Sequence, residues 1–138
     1  MSGKLVAGVD SSTQSVKIVV RNLESGELVR ESKVAHPDGT ECDPRDWQSA
    51  LARAIADVDE LKDVSAISIG GQQHGAVVLD ESGAPIRKAL LWNDTRSAKE
   101  ANDLNQEFGG AQETADAVGS ALVASFTATK LRWIADHE

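Results

Sequence analysis

Asp10 closes an apolar run, Leu5–Val9, and opens a turn of small polar residues, Ser11-Ser12-Thr13-Gln14-Ser15; Lys17 then leads into a second apolar run, Ile18-Val19-Val20. Hydroxyls and backbone N–H groups donate to phosphate oxygens without adding bulk. A carboxylate at a strand end can hold a water of an accompanying Mg²⁺, which needs only one or two carboxylates beside waters and phosphates. The pattern therefore suits a hairpin that receives a phosphate. It equally suits an ordinary polar turn, in which Asp10 only caps N–H groups. The spacing is neither that of a P-loop nor that of a dinucleotide loop.

Two further segments carry chemistry. Gly70-Gly71-Gln72-Gln73-His74-Gly75 follows an apolar stretch, Val64–Ile69. A sugar needs donors and acceptors at set places, and the Gln73 amide with the His74 imidazole supplies both. Glycines beside them let backbone approach a ligand closely. Leu90-Leu91-Trp92-Asn93-Asp94-Thr95-Arg96 is the third segment. An aromatic ring stacks on the apolar face of a sugar, and Asn or Asp takes its hydroxyls. Each has a plainer alternative: His74 as a loop histidine, Trp92 as core, Asp94 as a helix cap and Arg96 as its surface partner. His36, His137 and Cys42 show no ligand spacing, so no metal site built from side chains alone is expected.

Taken together and in order, GVDSSTQSVK, GGQQHG and LLWNDTR resemble the FGGY family of carbohydrate kinases, and Thr127-Ala128-Thr129-Lys130-Leu131-Arg132-Trp133 is similar to a helix of that family. The resemblance implies a ribonuclease-H-like, actin-type ATPase fold and the cofactors ATP and Mg²⁺. It implies that Thr13, Gln14, Ser15 and Lys17 face nucleotide phosphates, with Ser12 and Gln14 standing where relatives often carry Gly and Thr. It makes Asp10 the residue that orients Mg²⁺ through water, not the general base, which in this family is an Asp much further along. Gln73, His74, Trp92, Asn93 and Asp94 become the substrate-side residues, Asp94 also capping the helix from Thr95. Gln73 replaces a Met of the family segment. The segments are most like the branch that phosphorylates D-xylulose to its 5-phosphate. Kinases of ribulose, gluconate or glycerol, or a non-catalytic half-domain that binds a sugar or a partner, are the alternatives. Members are longer, with two domains. Residues 1–138 are thus expected to be the N-terminal part of the first, sugar-binding domain, without the second, nucleotide domain, and inactive alone.

Composition is compatible with this. The chain has 138 residues, 41% of them hydrophobic, and a net charge of −8. That is enough for one domain with its own core, and the acidic balance disfavours nucleic acid. No apolar run approaches the roughly 18 residues of a membrane helix. Met1-Ser2-Gly3-Lys4 carries no secretory signal, and a lone cysteine, Cys42, suits a cytoplasmic setting. Exposed surface on a partial domain favours self-association, a homodimer being one form.

The elements that must position these residues follow from period and breakers. Leu5–Val9, Val16–Asn22 and Leu28–Ala35 read as an antiparallel meander. Asp43–Leu61 reads as a helix capped by Asp43, with Trp47, Leu51, Ala54, Ile55 and Val58 on one face. Val64–Ile69 reads as a buried strand, Ala76–Leu79 and Ile86–Leu91 as strands about a Ser82-Gly83 turn, and Thr95–Phe108 as a helix ended by Gly109-Gly110. Ala117–Ser125 is loop or short helix. Thr127–Asp136 is a final helix with Leu131 and Ile134 inward, and Trp47 and Trp133 are packing residues. Strands and helices so mixed predict an α/β fold, a mixed sheet with flanking helices.

Overall fold

The computed structural model describes residues 3–138; Met1 and Ser2, part of the segment expected to carry no secretory signal, lie outside the described residues. The chain divides into two compact units. The first comprises residues 1–38 and 43–72, the second residues 39–42 and 73–138.

The first unit is a four-stranded mixed sheet with one helix. β1 (Leu5–Ser11), β2 (Ser15–Asn22) and β3 (Leu28–Ala35) form the expected antiparallel meander, and β5 (Val64–Gly71) returns parallel to β1, giving the order β3-β2-β1-β5. A parallel return needs a crossover, which α1 (Pro44–Asp57) provides. Asp43 caps α1 by accepting from the Arg45 N–H at 2.9 Å, with Pro44 in the first turn. Ala7, Val9, Val16, Ile18 and Val20 alternate onto one sheet face and pack on Ala50, Ala54 and Val58 of α1. Small residues at this contact let the helix sit close to the sheet. The predicted face holds at Ala54, Ile55 and Val58, which pack on the sheet, but Leu51 is 37% exposed and Ala50 takes the inward place. The helix also stops short of Leu61, because Asp59, Glu60 and Leu61 all have positive φ.

Within the described residues β5 lies at the edge of the sheet and is not the buried strand expected. Its side chains are open, with Ile67 52% and Ile69 76% exposed. The apolar run is real, but α1 covers the sheet over β1, β2 and β3.

The second unit is mostly helical: α2 (Ala98–Glu107), α3 (Ala111–Val118) and α4 (Thr127–His137), with a small sheet of β4 (Glu41–Cys42) against β6 (Ala89–Leu90). Of the predicted hairpin of residues 76–91, β6 falls inside the expected Ile86–Leu91 strand, and the pairing of the two arms is reduced to bridges, Ala76 to Leu90 and Leu79 to Pro85. Asp80 shapes its turn, its Oδ1 accepting from Ser82 N, Ser82 Oγ and Ala84 N. α2 begins at Ala98 rather than Thr95. α3 has no counterpart in the sequence reading, which saw only a helix stop at Gly109-Gly110; residues after Gly119 form the loop. Asn105 ties that loop, donating to the Leu122 carbonyl and accepting from the Leu122 N–H. In α4 the buried residues are Thr129 and Lys130, and Leu131 is 49% exposed, contrary to its predicted inward place. The inward positions of α4 serve polar contacts rather than apolar packing. Among the described residues no helix is long and apolar enough to cross a membrane.

Candidate functional site

In the first unit, the face of the sheet opposite α1 is open. Gly8 and Asp10 of β1, Lys17 and Val19 of β2, and Ser68 and Gly70 of β5 line a shallow concavity of about 300 Å³. Register explains the grouping. Asp10 pairs with Lys17 on one side and Gly70 on the other, and Gly8 pairs with Val19 and Ser68. Three of these positions carry little or no side chain, so Asp10 stands exposed over a bare floor. A Cβ on Gly70 would meet nothing within 4 Å, so the space is open above the floor.

The turn beyond Asp10 is held from several sides. Ser12 Oγ donates to the Asp10 carboxylate at 2.7 Å, and Ser12 N to the Ser15 carbonyl at 2.9 Å. Thr13 Oγ1 donates to Gln72 Oε1 at 3.3 Å, and Gln72 N to the Ser11 carbonyl at 3.0 Å. The end of β5 must approach closely for this. A Cβ on Gly71 would lie 3.2 Å from the Ser11 carbonyl oxygen, tighter than ordinary contact, so glycine suits the position. Lys17 is paired with Glu31 of β3 at 3.5 Å, so a phosphate there competes with an existing, half-exposed partner. One exposed carboxylate, a hydroxyl turn and open space are the donor set that a hydrated Mg²⁺ with phosphates takes. Asp10, Thr13, Gln14, Ser15 and Lys17 are thus on one hairpin, with Asp10 and Lys17 over the same floor.

In the second unit the predicted sugar-side segments lie together. The Ala76 N–H donates to the Leu90 carbonyl at 2.9 Å and the Leu90 N–H to Ala76 at 3.3 Å, which sets the Gln73–Gly75 stretch beside the strand leading to Trp92. Gln73 and His74 are exposed. His74 holds φ +62°, an unusual conformation for a residue with a Cβ, and its ring stacks on Phe126 at 4.6 Å. Trp92 is 47% exposed rather than core, and Asn93 Nδ2 donates to the Gly39 carbonyl at 3.3 Å.

Asp94 differs from its neighbours. It is buried, and its carboxylate accepts from Arg96 N at 3.0 Å and from Arg96 Nε and Nη2 at 2.9 Å each. Burial works against its charge, but the Arg96 hydrogen bonds and charge outweigh it and hold the carboxyl below the usual range. It closes its own turn and does not cap α2, whose N-cap is Ser97. Arg96 continues to Glu41 at 2.9 Å and lies 5.0 Å over Trp133; Arg87 reaches the same Glu41 and the same ring, and also pairs with Glu138. Trp133 is therefore a cation–π platform, with His137 stacked on it, more than a core residue.

Sequence reasoning passed over Phe126 and Lys130. Lys130 is fully buried, and its ammonium donates to the carbonyls of Asp94 at 3.1 Å and Ala124 at 2.6 Å. It ties the Trp92–Asp94 loop to the loop that ends in Phe126. Its signal in the sequence is its place in the family-like Thr127–Trp133 segment, which assigns it no role. Lys130→Met keeps the stem but removes the ammonium from the Asp94 carbonyl, while the Ala124 carbonyl keeps the Ser97 and Thr129 hydroxyls; it is expected to destabilise the protein by about 1–2 kcal/mol in denaturant unfolding. Burial lowers the Lys130 pKa from 10.5, with Asp94 opposing and Arg96 adding to the shift. Just below pH 10.5 the unfolded chain then binds more protons than the folded one, so stability rises with pH in that window, and the variant should lack that rise.

Comparison with known proteins bears on both units. Residues 5–138 match the model of the FGGY family of carbohydrate kinases, N-terminal domain. The xylulose kinase of Streptomyces coelicolor is 47% identical over 99% of this chain, which spans 29% of that protein. The xylulose kinase of an Arthrobacter species is 63% identical over 94 residues, 68% of this chain and 98% of that sequence. The crystal structure of xylulose kinase from Bifidobacterium adolescentis superimposes with a TM-score of 0.94 at 47% identity, covering 99% of this chain and 30% of that one. Plasmodium falciparum glycerol kinase with ADP shares the fold, with a TM-score of 0.86 at 21% identity. The mixed sheet with flanking helices is thus the expected actin-type fold, present as part of a first domain.

Proposed function

From a chain that belongs to the FGGY family of carbohydrate kinases, we infer that the full-length protein transfers the terminal phosphoryl group of ATP to D-xylulose, giving D-xylulose 5-phosphate. The observation that carries the chemistry is the open face on which Asp10 and Lys17 stand over Gly8, Ser68 and Gly70. Likeness to proteins named xylulose kinases across 99% of the chain supports the choice of sugar.

In this reading residues 1–138 are the N-terminal part of the first domain, and the second, nucleotide domain and the general base lie outside them. Thr13, Gln14, Ser15 and Lys17 receive phosphate oxygens. Mg²⁺, when bound with ATP, neutralises phosphate charge, and Asp10 orients it through water. Gln73, His74, Trp92 and Asn93 line the sugar, with the Trp92 ring against its apolar face. Asp94, paired inward with Arg96, shapes that loop rather than touching the sugar. Positioning and charge neutralisation supply most of the rate in phosphoryl transfer, so residues that hold the two substrates matter as much as the base. The setting is the cytoplasm, where ATP is available.

A coupled ADP-release assay tests this division of labour. The 138-residue chain alone is expected to show no D-xylulose-dependent turnover above blank, and the full-length protein is expected to yield a product identified by NMR as the 5-phosphate. Sugar-dependent turnover by the short chain would contradict the placement of base and nucleotide domain outside it.

A further inference from the structure

His36 follows β3 and is 6% exposed, outside every residue so far given a part in the chemistry. Its ring Nδ1 lies 2.9 Å from the Ser12 carbonyl oxygen, and its backbone N–H donates to the Gln14 carbonyl at 2.8 Å. A carbonyl oxygen only accepts, so Nδ1 carries the hydrogen. Its Nε2 is buried and has no hydrogen-bond partner among the described residues. The ring is thus placed for one contact, at a residue far away in sequence. One residue thereby holds two carbonyls of the Ser12–Gln14 turn. In a trans peptide the N–H lies opposite the C=O. Holding the Ser12 and Gln14 carbonyls toward His36 turns the N–H groups of Thr13 and Ser15 the other way.

We propose that His36 is a positioning residue for the phosphate-binding turn: it pins the Ser12 carbonyl from behind and so sets the direction of the turn's donors. The proposal rests on the reading of that turn as the phosphate site. Its backbone bond to Gln14 would survive any substitution with an N–H, so the ring's contribution can be isolated. An Asn side chain places its amide nitrogen where Nδ1 lies, whereas Gln places it near Nε2, away from Ser12.

The test is steady-state kinetics of the full-length protein with ATP and D-xylulose varied in turn, for His36→Leu, His36→Gln and His36→Asn. His36→Leu and His36→Gln are expected to lower kcat/KM for ATP by about fivefold or more, one hydrogen bond at least, with KM for the sugar within about twofold. His36→Asn is expected to restore most of the loss. Equal loss in all three variants, or KM values that rise together, would make His36 a plain packing residue and overturn the proposal. Wild-type kinetics in His36→Leu would overturn it as well. If His36→Leu does not fold, the Asn and Gln variants decide by their difference. Asp10→Asn separates the two readings. If it leaves kcat unchanged, the phosphate reading itself fails and the His36 proposal with it. If it is impaired while His36→Gln is normal, only the proposal about His36 fails.

Discussion

Asp10→Asn in the full-length protein is expected to lower kcat by about 10²–10³-fold, the usual cost of losing one positioned electrostatic contributor. The side chains are isosteric, and Asp10 is exposed at the end of β1, so folding should be nearly unaffected. The Ser12 hydroxyl bond has an acceptor in either variant. What changes is charge: a neutral amide cannot hold Mg²⁺ waters as a carboxylate does. Measuring kcat across a Mg²⁺ titration checks this. A normal kcat with a normal Mg²⁺ dependence would reduce Asp10 to a turn former. The thermal midpoint should move by no more than a surface substitution allows, about 0.5 kcal/mol in stability.

His74→Ala is expected to weaken use of the sugar far more than use of ATP. Loss of one hydrogen bond to a sugar hydroxyl, leaving that hydroxyl poorly matched, costs about 1–3 kcal/mol, or roughly 5- to 150-fold in kcat/KM for D-xylulose. KM for ATP should change little, because the hairpin from Asp10 to Lys17 belongs to a different unit of the chain. The His74 ring is exposed and rests on Phe126 alone among ring contacts of the described residues, so its removal opens no deep cavity. Alanine keeps a Cβ, so the positive φ at position 74 is carried by both variants and does not favour the substitution. Steady-state kinetics with each substrate varied in turn checks it. If both KM values rise together, His74 supports the fold; if neither moves, it is a solvent-facing loop residue.

Local pattern made some of this legible. The β1–β3 meander and the Asp43 cap stand as read, because alternation, turn residues and a cap with Pro44 are short-range signals. β5 was read as a buried strand from its apolar residues, but burial depends on what covers a strand, and α1 covers others. α3 was hidden behind Gly109-Gly110, and β4 is only two residues long. Leu51 lost the inward place on α1 to Ala50, since close helix–sheet packing favours a small residue over a large one.

In the candidate site, the residue types of both loops were visible, but what holds them was not. His36 has no metal-ligand spacing in the sequence, and its partner is a backbone carbonyl 24 residues away, outside any local pattern. Phe126 and Lys130 act through tertiary contacts that no local window contains. Asp94 was expected to cap a helix and instead closes a turn with Arg96, because α2 begins at Ala98.

The most direct test of the central claim is competition among sugars for the full-length protein: kcat/KM for D-xylulose measured beside D-ribulose, gluconate and glycerol under one ATP and Mg²⁺ condition. The account predicts that D-xylulose leads by about tenfold or more, the discrimination that one or two well-placed hydroxyl contacts provide. Equal or greater kcat/KM for one of the others would contradict the assignment of the Gln73–His74 and Trp92–Asn93 loops to a ketopentose.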